Sequence, residues 1–139
     1  MISLVLSSFS KRSKNNQDYY ETIDFLKDEY KIVPKNATVF LINNGVCKGG
    51  FCGHKLNKFL IENVPQHTQD TLIFLVGLLD KNFKDTIQLY SNTVVKVYDR
   101  NALHKHGVYS QTYRAIKIKN YKIHKKQILN QHAKFKNWF

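Results

Sequence analysis

Residues 37–64 read ATVFLINNGVCKGGFCGHKLNKFLIENV, and the other elements of the chain are arranged around them. The apolar, β-branched residues 38–42 do not alternate with polar ones, which predicts a strand covered on both faces. A turn with both cysteines of the chain, Cys47 and Cys52, follows this strand. Apolar side chains at helical spacing then predict an amphipathic helix over residues 53–63. A helix N-terminus stabilises negative charge, so it lowers the pKa of a nearby thiol and favours thiol chemistry in this turn.

The hydrophobic pattern of the flanking sequence predicts further helices and strands. They are a helix over residues 17–30, strands over 71–77, 93–99 and 112–119, and a helix over 80–90. A strand, a helix and a strand at this spacing form a βαβ unit with parallel strands. The last two strands are predicted to pair as an antiparallel hairpin with a long polar tip. The chain is therefore predicted to be an α/β sandwich with a mixed sheet of about four strands, and a fifth from residues 2–6.

Length and composition favour one main domain. A chain of 139 residues with 42% hydrophobic residues can form a single core. We divide the chain into an N-terminal strand or flexible segment (1–16), a main domain (17–122) and a basic C-terminal helix or tail (123–139). The apolar start is short for a signal peptide and no basic residue precedes it, so a periplasmic or envelope location is expected only if an export signal has been removed. The longest apolar run, residues 72–79, is too short to cross a bilayer.

The positive charge is concentrated near the C-terminus. Residues 1–99 hold twelve Lys/Arg and ten Asp/Glu, a net of +2, and residues 100–139 hold ten Lys/Arg and no acid, a net of +10, which gives +12 for the chain. Such a block attracts an acidic partner, an anionic surface or phosphates. Aromatic residues between the lysines also make nucleic acid a candidate partner. The residues assigned to this basic face are Arg114, Lys117, Lys119, Lys122, Lys125 and Lys126.

A purely structural explanation of these basic residues is also open. Ile116 and Ile118 alternate with basic residues, the pattern of a strand with one face in water. Lysines at exposed strand positions also prevent edge-to-edge aggregation. The basic face is therefore either a docking surface or a solvated side of the sheet.

Three features together make residues 17–120 resemble the thioredoxin-like fold, in particular the divergent thioredoxin-like proteins of bacterial envelopes. They are a buried strand that ends at Ile42, a cysteine just beyond it and a helix that opens at that cysteine. In that family the loop carries Cys-x-x-Cys, whose first cysteine attacks a substrate disulfide as a thiolate before the second resolves it. The resemblance implies a thiol–disulfide oxidoreductase that acts on protein thiols or disulfides without a cofactor.

Four residues separate the cysteines of this chain instead of two, which leaves two alignments with the family open. In one, Cys47 takes the place of the nucleophile and Cys52 that of the resolving cysteine. In the other, residues 51–55 (FCGHK) overlay the family's aromatic-Cys-Gly-Pro-Cys, so that Lys55 stands where the resolving cysteine would be. A single static disulfide is the structural alternative. The residues that would stabilise a thiolate here are Lys48, His54 and Lys55.

Other chemistry finds little support in the sequence. Cys47, Cys52 and His54 offer three metal ligands, and His104 or His106 a fourth, but zinc sites normally combine two close ligand pairs, so we predict no metal. The motifs for cradling phosphates, for a serine nucleophile and for a zinc protease are all absent. The hypotheses that remain are thiol–disulfide exchange, docking of an acidic partner or anionic surface, and nucleic-acid binding.

Overall fold

A computed structural model describes residues 14–44, 50–108 and 112–139, without the side chains of residues 14–17. Its strands are β1 (Ala37–Ile42), β2 (Thr71–Val76), β3 (Thr93–Val97), β4 (Arg114–Lys119) and β5 (Lys122–Ile128). Its helices are α1 (Lys14–Tyr30), α2 (Gly53–Asn63), α3 (Lys81–Ile87) and α4 (Arg100–Lys105). The predicted α/β class is confirmed by a five-stranded mixed sheet flanked by these four helices. The predicted strand over residues 2–6 lies outside the described residues.

The sheet has the strand order β3-β2-β1-β4-β5. Strands β1, β2 and β3 are parallel, which confirms the predicted parallel βαβ unit, and β4 is antiparallel to β1 and to β5. The predicted antiparallel hairpin between residues 93–99 and 112–119 is wrong. Strand β3 instead lies at the sheet edge in parallel with β2, and β4 pairs with β1. The central strand β1 thereby gains partners on both sides.

Each face of the sheet is covered by its own helices, because successive side chains of a strand point to opposite faces. Phe40 and Ile42 of β1 belong to a core cluster with α2, α3 and the C-terminal segment. Val39 and Leu41 belong to a second cluster with α1 and α4. All six residues of β1 are buried, as the apolar run in the sequence predicts for a strand covered on both faces. The three-layer arrangement leaves the two ends of β1 as the places where loops can form sites.

The chain between β3 and β4 contains a helix that the sequence did not predict. Asp99 caps α4, since its carboxylate accepts a hydrogen bond from the backbone N–H of Asn101 at 2.9 Å. The polar composition of residues 100–107 predicted a loop, but Leu103 buries against the α1 side of the sheet. One buried leucine and one cap thus support a six-residue helix, which is too short to show a detectable hydrophobic periodicity in the sequence. Asp80 caps α3 in the same way, with Phe83 N–H as donor at 2.8 Å.

The C-terminal segment is folded onto the sheet. The predicted basic helix or tail (123–139) is wrong over residues 123–128, which belong to β5 and pair with β4. Asn120 and Tyr121, at φ 55° and 66°, make a two-residue turn whose twist suits a hairpin. Beyond β5, Trp138 is 3% exposed and its indole N–H donates to the Thr38 hydroxyl at 3.0 Å.

Candidate functional site

The cysteine loop lies at the carboxyl end of the central strand β1, as the sequence predicts. Cys52 is the N-cap of α2, with extended backbone angles (φ −151°, ψ 178°), and its side chain accepts no capping hydrogen bond from the described helix. The sulfur of Cys52 is in a disulfide. Cys47, the other cysteine of the chain, lies outside the described residues. The structure therefore places a disulfide sulfur at the positive end of an eleven-residue helix.

Aromatic packing fixes the described end of this loop. The half-buried Phe51 ring meets the Phe59 ring edge-on, with the centroids 5.4 Å apart, and lies 6.0 Å from the Tyr113 ring. Phe51 therefore anchors the residue before Cys52 to the core over α2 and β4. Gly53, at φ +55°, turns the backbone directly after Cys52 into the helix, a conformation that costs glycine little. The position of Cys52 is thus held from both sides.

The basic residues predicted to tune the thiols are only partly described. His54 and Lys55 occupy the first turn of α2 and are exposed. The Lys55 ammonium lies beside the loop, 4.0 Å from the point that a Cβ on Gly50 would occupy. Lys48 lies outside the described residues. Of the three predicted tuning residues, Lys55 is the one whose charged group lies next to the described end of the loop.

A polar cluster that the sequence analysis missed joins the strand ends beside the cysteine loop. The Tyr98 hydroxyl donates to the Asn43 side-chain oxygen at 2.6 Å, and both residues are buried. Burial raises the pKa of Tyr98, so the phenol stays a neutral donor. Asn44 accepts from the Leu78 backbone N–H at 2.8 Å and donates to the Leu78 carbonyl at 2.6 Å. The sequence signal for this cluster was the polar residues that directly follow each apolar parallel strand, because the carboxyl ends of such strands meet at one edge of the sheet.

The structure divides the predicted basic face. Arg114 does not belong to an exposed surface, and its assignment to the basic face is wrong. It is 4% exposed, its guanidinium lies 2.9 Å from the Asp18 carboxylate, and it stacks over the Tyr19 ring at 4.8 Å. Arg114 stands two residues before Ile116 and therefore faces the same side of β4, which α1 covers, so it is buried and not solvated.

The five lysines of the basic face lie along the β4–β5 hairpin. Lys126 reaches over the rings of Tyr19 and Tyr20, 5.8 Å from each centroid. The others form two cross-strand pairs, Lys117 opposite Lys125 and Lys119 opposite Lys122. The outer pair is exposed and the inner pair half-buried. These pairs lie toward the amino end of β1, so the length of β1, roughly 17 Å, separates them from the cysteine loop.

The part of the chain that the structure describes holds neither a cluster of metal-ligating residues nor a helix able to span a membrane. No group of three or more His, Cys, Asp or Glu residues is placed there to hold a metal ion. His106 instead lies 3.4 Å from the Asp28 carboxylate and packs edge-on against Phe25 of α1. None of the described helices combines the length and the apolar character needed to cross a membrane.

Comparisons of the chain with protein-family models, with curated proteins and with solved structures found no match.

Proposed function

We propose that the loop between β1 and α2 carries out thiol–disulfide exchange, the activity implied by the resemblance to thioredoxin-like proteins. The single observation that supports it best is the disulfide-bonded Cys52 at the N-cap of α2. A cysteine in this position gives a stabilised thiolate after reduction, because the helix N-terminus favours negative charge. The sequence order strand, cysteine loop and helix supplies the same arrangement.

The proposed reaction transfers two electrons from substrate thiols to the protein disulfide. A substrate thiolate attacks one sulfur, the protein S–S bond breaks, and one cysteine leaves as a thiolate while the other is held in a mixed disulfide. A second substrate thiolate then attacks the mixed disulfide. The products are the substrate disulfide and two protein cysteines, which take up the two protons that the substrate thiols released. The reverse reaction oxidises the protein and reduces a substrate disulfide.

The described geometry favours Cys52 as the cysteine with the lower thiol pKa. It is the residue at the helix N-terminus, and Lys55 lies one turn further along the same helix. Cys47 is then the partner that is attacked or that resolves the mixed disulfide. The hydrophobic support from Phe51 holds Cys52 while its bond to the partner opens and closes. Cys52 has a role in both alignments with the family: it is the resolving cysteine in one and takes the place of the nucleophile in the other.

A redox titration tests this proposal. The full chain is equilibrated against glutathione buffers, free thiols are trapped by alkylation, and the reduced fraction is read by mass. We expect a reversible transition with a midpoint between about −120 and −270 mV, the range of catalytic oxidoreductases. Alkylation at varied pH should show a thiol pKa below the ordinary value of about 8.5, and Cys52→Ser should remove it.

A matched pair of lysine variants separates a local effect from a general change of charge. Lys55→Gln should raise the thiol pKa and shift the midpoint to more negative potentials, since it removes a charge that stabilises the reduced form. Lys58→Gln, an exposed position on the same helix, should leave both unchanged. A bridge that resists reduction over the whole range, or thiols that react like free cysteine, would overturn the proposal.

A further inference from the structure

The β4–β5 hairpin carries an unusual concentration of like charge at the end of the sheet away from the cysteines. Lys117 pairs directly with Lys125, and Lys119 with Lys122, on neighbouring positions of the two strands. Like charges placed directly opposite one another destabilise a sheet. Two such pairs side by side are therefore unfavourable for folding alone and favourable for binding an anion.

Three of the four paired lysines line a pocket large enough for a phosphate group. The pocket has a volume of about 270 Å³, and its walls include Lys117, Lys119, Lys125 and His124. Asp70 is the single acidic residue in its lining. The pocket lies at the hairpin surface, where Lys119 and His124 are exposed to solvent. Its charge is therefore strongly positive and accessible.

The inner lysines are held in place by the C-terminal segment without losing their capacity to bind. Lys117 donates to the Trp138 carbonyl and Lys125 donates to the Asn137 carbonyl. An ammonium has three donors, so each of these contacts leaves two for a ligand. Docking of Trp138 against Thr38 thus fixes the geometry of the pocket wall.

An exposed aromatic residue occupies the hairpin turn next to the outer lysine pair. Tyr121, in the turn between Lys119 and Lys122, is 61% exposed, more than any other large hydrophobic side chain described. The positive φ of Tyr121 (66°) is a conformation that asparagine or glycine adopts more readily, so tyrosine is not required for this turn. Its ring therefore has no evident structural reason to be there, whereas it offers a flat face for stacking.

We propose that the lysine pocket and Tyr121 form a binding surface for single-stranded nucleic acid. Phosphates lie between the lysine pairs and relieve their repulsion, and a neighbouring base stacks on the Tyr121 ring. A positively charged groove with an aromatic platform is the recurring way in which proteins bind single strands without sequence preference. An anionic membrane would fit less well, since a concave polar pocket presents no apolar surface to insert. An acidic polypeptide would satisfy the lysines but leaves the exposed ring unused.

Fluorescence anisotropy tests this inference with a labelled mixed-sequence RNA or DNA strand of about 20 nucleotides and the full chain. Four lysine–phosphate contacts predict a slope of about −2.8 in log affinity against log salt. Binding should accordingly weaken about 50-fold between about 50 and about 200 mM salt. Cys52→Ser should bind equally well, so that this result is independent of the redox proposal.

Two pairs of variants identify the surface. Lys119→Gln/Lys122→Gln should weaken binding and bring the salt slope to about half, whereas Lys81→Gln/Lys84→Gln on α3 changes the net charge equally and should have little effect. Tyr121→Asn keeps a residue suited to the turn but removes the ring, so it should weaken binding at least about fivefold with the salt slope unchanged. Tyr20→Gln, at the other exposed tyrosine among the described residues, is the matched control.

A stability measurement separates a binding role from a structural one. If the lysine pairs are kept for binding, Lys119→Gln/Lys122→Gln should melt at a higher temperature than the parent at low salt, because it removes a like-charge pair. Lower stability of this variant would contradict the inference. So would the absence of binding at about 50 mM salt, equal binding of polyglutamate together with no effect of Tyr121→Asn, or binding to phosphatidylserine vesicles alone.

Discussion

The clearest test of the fold is the substitution Asp18→Asn in α1. Asp18 and Arg114 form an ion pair with N···O 2.9 Å, and their side chains are 15% and 5% exposed. Asparagine keeps the volume of aspartate but removes the charge that balances the buried guanidinium. Removing one partner of a buried pair costs about 3–5 kcal/mol, and the residual exposure of Asp18 favours the lower end, about 3 kcal/mol.

This free energy translates into a measurable loss of thermal stability. An unfolding entropy of about 2.1 cal/mol/K per residue gives about 0.29 kcal/mol/K for 139 residues. A loss of about 3 kcal/mol therefore lowers the melting temperature by about 10 °C. The same variant should show an equal loss in urea unfolding, followed by the fluorescence of the single tryptophan, Trp138.

Controls distinguish the ion pair from a general effect of charge. Asp24→Asn, at an exposed position of the same helix, should change stability by less than about 0.5 kcal/mol. The double variant Asp18→Leu/Arg114→Met should recover most of the loss, because a buried ion pair can be replaced by apolar residues of similar volume. If Asp18→Asn were as harmless as its control, Arg114 would be solvated, and its original assignment to the exposed basic face would have been correct.

Two further predictions concern buried aromatic residues. Trp138→Ala should lower the free energy of unfolding in urea by about 3–5 kcal/mol, because it opens a cavity against the sheet and removes the hydrogen bond to Thr38. An unchanged urea midpoint would mean that the C-terminal segment is not docked. Burial raises the pKa of Tyr90 to about 12, and its hydroxyl donates to the Leu60 carbonyl at 2.6 Å. Its contribution to stability is complete below pH 10 and falls by about 2 kcal/mol toward pH 12, since the unfolded chain loses this proton first. Tyr90→Phe should therefore lose about 2 kcal/mol less stability than the parent between pH 10 and pH 12, as measured by urea unfolding. If the stability of both proteins fell equally with pH, the assignment to Tyr90 would be contradicted.

The candidate site could be predicted in outline because its signals are local. An apolar run that ends at Ile42, cysteines in the following turn and an amphipathic helix from Gly53 all depend on neighbours in sequence. The partner of each strand could not be predicted in the same way. Residues 93–99 and 112–119 are adjacent strands in the chain and were expected to pair. Instead β3 pairs with β2, and after the short helix α4 the chain returns to pair β4 with β1.

Long-range contacts also determined which of the basic C-terminal residues are buried and which are exposed. Arg114 and Lys119 are both basic residues of β4, but Arg114 lies in phase with Ile116 and Ile118, whereas Lys119 alternates with them. Packing of α1 buries Arg114 with Asp18, 96 residues away, while the end of the hairpin leaves Lys119 in solvent. The sequence alone established the α/β class, the parallel βαβ unit and the cysteine position at a helix start, because periodicity and capping are local properties. Only the tertiary structure decided which charges are buried, which face one another and which remain available to a ligand, because those outcomes depend on strands and helices that lie far apart in the chain.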